Sequence, residues 1–232
     1  MNHNVFAAMR ANRALTYACT GTATGIFGLW SYSSRGVVYR ATQSLPRLPG
    51  LKAPSPEAFS KILNDTFILK ASEPDNYPAW IGAAFSHKDP LHLAFNLITF
   101  SSFAKILWYL PPYHFATIIF GSAIAASGTW LFEQRSISQR QFKNNQALGS
   151  SGIVSGVLTS VTMFAPTLRA SIMGVIPVPL WLMTLGYFAL DTYAMNRAPE
   201  SPIGHSAHIG GSLFGIMYYV FFLRRFGGIL GR

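Results

Sequence analysis

"FATIIFGSAIAASGTWLF", residues 115–132, carries no charged side chain along its length. At 1.5 Å per residue a helix made of it spans about 27 Å, close to the roughly 30 Å hydrocarbon core of a bilayer. A second uncharged run covers Ala170–Leu190. The whole chain agrees: of its 232 residues, 50% are hydrophobic and 11% charged, against about 25% charged in an ordinary soluble domain. Too little polar material is left to wet the surface of a water-soluble protein of this size. The chain reads as an all-α, polytopic membrane protein.

Working outward from that run, six spans are expected: Leu15–Tyr32, Pro90–Leu110, Tyr113–Phe132, Leu148–Pro166, Ala170–Thr192 and Ile203–Leu223. Thr16, Thr20, Thr22 and Thr24 dilute the first, and Pro166 closes the fourth early. Residues 1–14 are expected to form an N-terminal tail; they hold Arg10 and Arg13 and no acid, a composition compatible with a targeting segment. Residues 33–89 form a long first loop, within which "PSPEAFSKILNDTF" (54–67) has the pattern of a short amphipathic helix lying at the membrane surface. Residues 224–232 form a basic C-terminal tail. No internal repeat is visible, which argues against transporter folds built from two related halves.

The net charge of +10 would point a soluble chain toward nucleic acid. Here the basic residues lie in loops and tails, so the expected partner is lipid and no nucleic acid is expected. Arg10, Arg13, Lys105, Arg169, Arg224, Arg225 and Arg232 fall on one side of the six spans without an acid, while all eight acids fall on the other. By the positive-inside rule both termini share the cytoplasm-equivalent side. Cys19, the single cysteine, excludes a disulfide within the chain and any cysteine-rich metal site.

The polar residues inside the spans are not scattered. His92 and Asn96 open the second span, Ser151 the fourth and His208 the sixth, and these three helices enter from the same face. Ser151 and His208 fall four to five residues into their spans, on the order of 6–8 Å deep. A serine hydroxyl becomes a nucleophile when a neighbouring base takes its proton, and histidine titrates in the right range. The oxyanion formed by attack on an amide needs preorganised donors. The backbone N–H of Ser151, the His92 imidazole and the Asn96 amide are the candidates, the two side chains lying at i and i+4 on one helix face. Gly149 and Gly152 allow close approach around the serine; Gly211 and Gly215 form a small-xxx-small face suited to Gly152 and Gly156 of the fourth span. Ser150 reads as a spacer, His205 and Asp191 as interfacial, and His87 as a structural residue of the loop. His87, His92 and His208 lack a carboxylate or thiolate partner, so no metal and no cofactor is expected.

These residues resemble a known family. "LGSSG" (148–152) is similar to the G-x-S-G motif of rhomboid intramembrane serine proteases, "SAHIGGSLFG" (206–215) to the A-H-x-x-G-x-x-x-G of their last core helix, and "FSHKDPLHLAFN" (85–96) to the paired histidines and H-x-x-x-N of their second. The wording around His208 and the "FSH" are most similar to the mitochondrial branch. The resemblance implies a six-transmembrane-helix rhomboid-like bundle acting as a serine endopeptidase on single transmembrane-helix substrates. It implies Ser151 as nucleophile and His208 as general base, a dyad without a third acid, with His92 and Asn96 around the oxyanion. It also implies a multi-pass protein of the mitochondrial inner membrane; the sequon Asn64-Asp65-Thr66 keeps a secretory-pathway membrane as the alternative. Two departures stand out: Trp80-Ile81 replaces the family's Trp-Arg pair of the first loop, and Ser155 occupies the place of a tyrosine that packs on the histidine. The rival reading is a non-proteolytic rhomboid-like protein that binds transmembrane clients. A channel is disfavoured, because the polar residues stop at one shallow layer.

Overall fold

The computed structural model describes residues 3–34, 56–135, 145–172, 175–197 and 204–228. Among these, the α-helices are α1 (His3–Ser34), α2 (Pro56–Phe67), α3 (Tyr77–Gly82), α4 (Pro90–Ala104), α5 (Pro112–Gln134), α6 (Ser151–Phe164), α7 (Leu180–Arg197) and α8 (His205–Tyr218). The segments Pro90–Leu107, Pro112–Gln134 and His205–Phe226 are long and apolar enough to cross a bilayer. With α1, α6 and α7 they occupy the six segments marked by the sequence. The starts are written locally. Asp89 caps α4 by accepting the His92 N–H at 2.6 Å, with Pro90 just inside the helix.

Three boundaries differ from expectation, each for a physical reason. The N-terminal tail expected over 1–14 is helical from His3. Its polar residues find partners in the bundle: the buried Asn12 amide donates to the carbonyls of Trp108 and Leu110, and the Trp108 indole donates to Thr16. The fifth helix starts at Leu180, because residues 169–172 and 176–179 pair as antiparallel strands from Arg169↔Pro179 to Ile172↔Ile176. Pro177 and Pro179 lack the N–H that a helix interior requires. The fourth helix starts at Ser151 itself, three residues late, since Gly149 takes φ +126°, a conformation that breaks a helix and that glycine alone adopts freely. Residues 35–55 of the first loop and Arg232 of the basic tail lie outside the described residues.

The described part of the first loop is folded. α2 is the helix that the amphipathic pattern implied. A two-residue strand, Leu69–Lys70, pairs antiparallel with Gln146–Ala147, and Gly149 N–H donates to the Ala83 carbonyl at 2.9 Å. Ser127 of α5 donates to the Trp80 carbonyl at 2.7 Å, fixing α3 to the bundle. The chain leading into Ser151 is therefore held from the loop side.

The core is built on α5, α6 and α8, which pack on one another, with α7 against α8 and α1 against α4 and α5. Val157, Val161, Phe115, Ile118 and Ile119 are fully buried there. The α6–α8 contact is made of backbone. A Cβ on Gly211 would collide with the Gly152 carbonyl, and one on Gly215 with the Gly156 carbonyl and the Thr159 hydroxyl. Lipid tails are as apolar as leucine, so close van der Waals packing and interhelical hydrogen bonds must hold such helices together. Thr159 donates to the Ser212 carbonyl at 3.1 Å and Thr129 to the Ser206 carbonyl at 2.9 Å, tying α8 to both neighbours.

Candidate active site

The α6–α8 seam sets the depth and distance of two side chains. Ser151, the first residue of α6, and His208, one turn into α8, meet with Ser151 Oγ 2.8 Å from His208 Nε2. On the other side of the same imidazole, His208 Nδ1 lies 3.1 Å from Asp191 Oδ1 of α7. An ionised carboxylate only accepts, so Nδ1 carries the proton and donates. Nε2 is then left with its lone pair toward the serine hydroxyl, the tautomer that a general base needs.

Asp191 is shared. His205 Nδ1 stands 2.7 Å from the same Oδ1, one turn before His208 on α8. All three side chains are mostly but not fully covered, at 13% exposure for His205, 16% for Asp191 and 19% for His208.

Because Ser151 opens its helix, the N–H groups of the first turn point out of the helix end without intrahelical acceptors. Val154 is the first to close a turn, donating to the Ser150 carbonyl at 2.9 Å. The helix dipole adds partial positive charge at this end. His92 stands beside Gly149: a Cβ there would approach His92 Cε1 to 2.8 Å, so the glycine makes room for the ring as well as for its own φ. Asn96 and His92 face different neighbours. Asn96 is buried and donates to His87 Nε2 at 3.1 Å, whereas His92 is exposed and packs edge-on to the His87 ring at 5.1 Å.

This arrangement joins a matching result from known proteins. The family model for the Rhomboid domain matches residues 74–225, well over half of the chain. The chain belongs to the rhomboid family. It is a multi-pass membrane protein, and the matched region contains His87, His92, Asn96, Ser151, Asp191 and His208. "Rhomboid protein 1, mitochondrial" of Saccharomyces cerevisiae is 27% identical over 207 residues, 88% of this chain and 52% of that protein. The chain thus spans about half the length of that relative.

The rhomboid resemblance implied no third acid, and the contact between Asp191 and His208 Nδ1 is one that the sequence reading did not anticipate. The sequence held a signal for it: an acid inside an apolar helix marks function by default. Arg197, the end of α7, and His205, the start of α8, lie at the same end of the bundle, since consecutive helices run antiparallel. His205, read as interfacial, shares the same carboxylate.

His87 underpins the rhomboid site from behind. It is fully buried, and its Nε2 accepts from both Asn96 and the Ser150 backbone N–H, the latter at 3.3 Å. The residue before the serine is thereby pinned. Burial, assisted by the neighbouring His92, pushes the His87 imidazole down to about 4. A histidine in the unfolded chain titrates near 6.5, so below that pH the unfolded state takes up a proton that the folded state refuses. Stability is at its plateau above about pH 6.5 and falls as the pH drops toward 4, by on the order of 3 kcal/mol in total. Thermal unfolding in detergent is expected to follow that slope in the wild type and to flatten in His87→Gln; equal slopes would refute the assignment.

Proposed function

We propose that this rhomboid is an intramembrane serine endopeptidase that cleaves single transmembrane-helix substrates. Ser151 is the nucleophile, His208 the general base and Asp191 the residue that positions His208. The observation that carries this reading is the 2.8 Å contact between Ser151 Oγ and His208 Nε2, made with the imidazole held from behind by a carboxylate.

The reaction follows from those groups. His208 Nε2 takes the hydroxyl proton as Ser151 Oγ bonds to the scissile carbonyl carbon. The oxyanion is received by the Ser151 backbone N–H at the start of α6, with His92 and the Asn96 amide hydrogen not given to His87 Nε2 as the side-chain donors. His208 returns its proton to the leaving amine, and the acyl-enzyme forms. Water, deprotonated by the same Nε2, then releases the acid product and restores the serine. Gly149, Gly152, Gly211 and Gly215 are structural, holding this pair in register. The catalytic unit is the membrane domain 15–223. The yeast relative is a mitochondrial rhomboid protein, which supports a mitochondrial location for this chain, with the inner membrane as the proposed site.

The direct test is covalent labelling with a fluorophosphonate probe, which reacts with activated serines. The wild type and Ser150→Ala are expected to label, and Ser151→Ala is not. Labelling of Ser151→Ala at the wild-type level would sink the proposal and favour a rhomboid-like protein that holds transmembrane clients without cutting them.

A further inference from the structure

The histidines of the second and sixth spans lack a carboxylate of their own, but the fold supplies one. Asp191 Oδ1 lies 2.7 Å from His205 Nδ1 and 3.1 Å from His208 Nδ1. Among the described residues, Asp191, His205 and His208 are the one group of three His, Cys, Asp or Glu side chains whose ligand atoms converge, all within 4.8 Å of one another. Two ligands of one tetrahedral zinc ion lie about 3.4 Å apart, from metal–ligand bonds of about 2.0–2.2 Å. The three atoms are therefore within a small side-chain adjustment of a zinc-binding arrangement. Two imidazole nitrogens and one carboxylate oxygen are a donor set that suits Zn²⁺, with the fourth position left to water. All three side chains are partly exposed, which leaves them reachable by an ion.

We propose that Asp191, His205 and His208 form an inhibitory site for a divalent ion of the zinc type. The inference rests on the reading of His208 as general base. A metal can take Nδ1 of His208 only if the ring proton moves from Nδ1 to Nε2; the imidazole stays neutral and no proton is lost. Nε2 then presents an N–H to Ser151 and cannot accept the hydroxyl proton. The ion would silence the base through its far nitrogen, without touching the serine or the substrate path. Zinc should accordingly lower kcat and leave KM nearly unchanged.

The test uses the full chain in liposomes with Zn²⁺ alone as the ligand. Cleavage of a model transmembrane substrate is expected to fall by about 10²–10⁴-fold, the range that general-base catalysis contributes, and to recover on chelation. In His205→Ala the half-inhibitory zinc concentration, read against that variant's own metal-free rate, is expected to rise on the order of 10–100-fold. Binding is read separately by the visible absorption of Co²⁺ in Ser151→Ala, where it is expected, and in Ser151→Ala/His205→Ala, where it is not. Since the Co²⁺ spectrum does not depend on proteolysis, an inactive wild type would overturn the protease reading and leave the spectrum to judge the site. An active wild type insensitive to Zn²⁺, an unchanged half-inhibitory concentration in His205→Ala, or no Co²⁺ absorption in Ser151→Ala would overturn the metal site.

Discussion

Ser151→Ala and His208→Ala are each expected to reduce turnover of a transmembrane substrate by about 10⁴–10⁶-fold, with the double variant no slower than either single one. The reason is that the two side chains act as one unit across their 2.8 Å contact. Without the base the hydroxyl keeps its proton, and without the hydroxyl the base has nothing to activate. What survives in every variant is the residual help from the helix-end donors and from substrate binding, so the three rates should converge on one floor. The measurement is single-turnover cleavage in liposomes, with thermal unfolding checked in parallel. Losses that multiply in the double variant would mean that the residues work independently, and the proposed unit would be wrong.

Asp191→Asn is expected to lower kcat by about 10²–10⁴-fold while KM changes little. A carboxylate can only accept, and so it fixes the His208 proton on Nδ1. A carboxamide can turn its NH₂ toward Nδ1 and favour the opposite tautomer, whose Nε2–H faces the serine. Asp191→Glu keeps an acceptor and should recover part of the rate. A purely structural Asp191 would move the unfolding temperature in both variants alike, with no split between kcat and KM and no rescue by glutamate. Equal rates for Asn and Glu would therefore remove Asp191 from the mechanism.

The sequence made the helical spans legible because a membrane leaves few choices. Uncharged runs such as Phe115–Phe132 have to be helices or a closed barrel, and alternating crossings bring residues 92, 151 and 208 to one end. The misses come from features that hydrophobicity does not encode. Residues 170–179 are as apolar as any span, and the strand pair shows only in Pro177 and Pro179. Thr16 dilutes the first span and Asn12 lies in the expected tail, yet both are buried, because their partners, the Trp108 indole and the Trp108 and Leu110 carbonyls, are nearly a hundred residues away in the chain. Asp191 was visible as an acid near a helix end. Its pairing with both His205 and His208 depends on how α7 faces α8, which no spacing within either helix reveals.

The glycine seam between α6 and α8 works as a ruler. Its marks are backbone carbonyls, so the separation of Ser151 and His208 follows from how closely two main chains can lie, with little left to side-chain rotamers. Injury to the site should then spread along the seam and not outward in a sphere. A methyl group added at Gly215, about two turns deeper than His208, would wedge the helices apart and open the same gap as one added at Gly211. Bulkier residues on the lipid-facing side of α8, such as Leu213 or Met217, would leave the ruler intact.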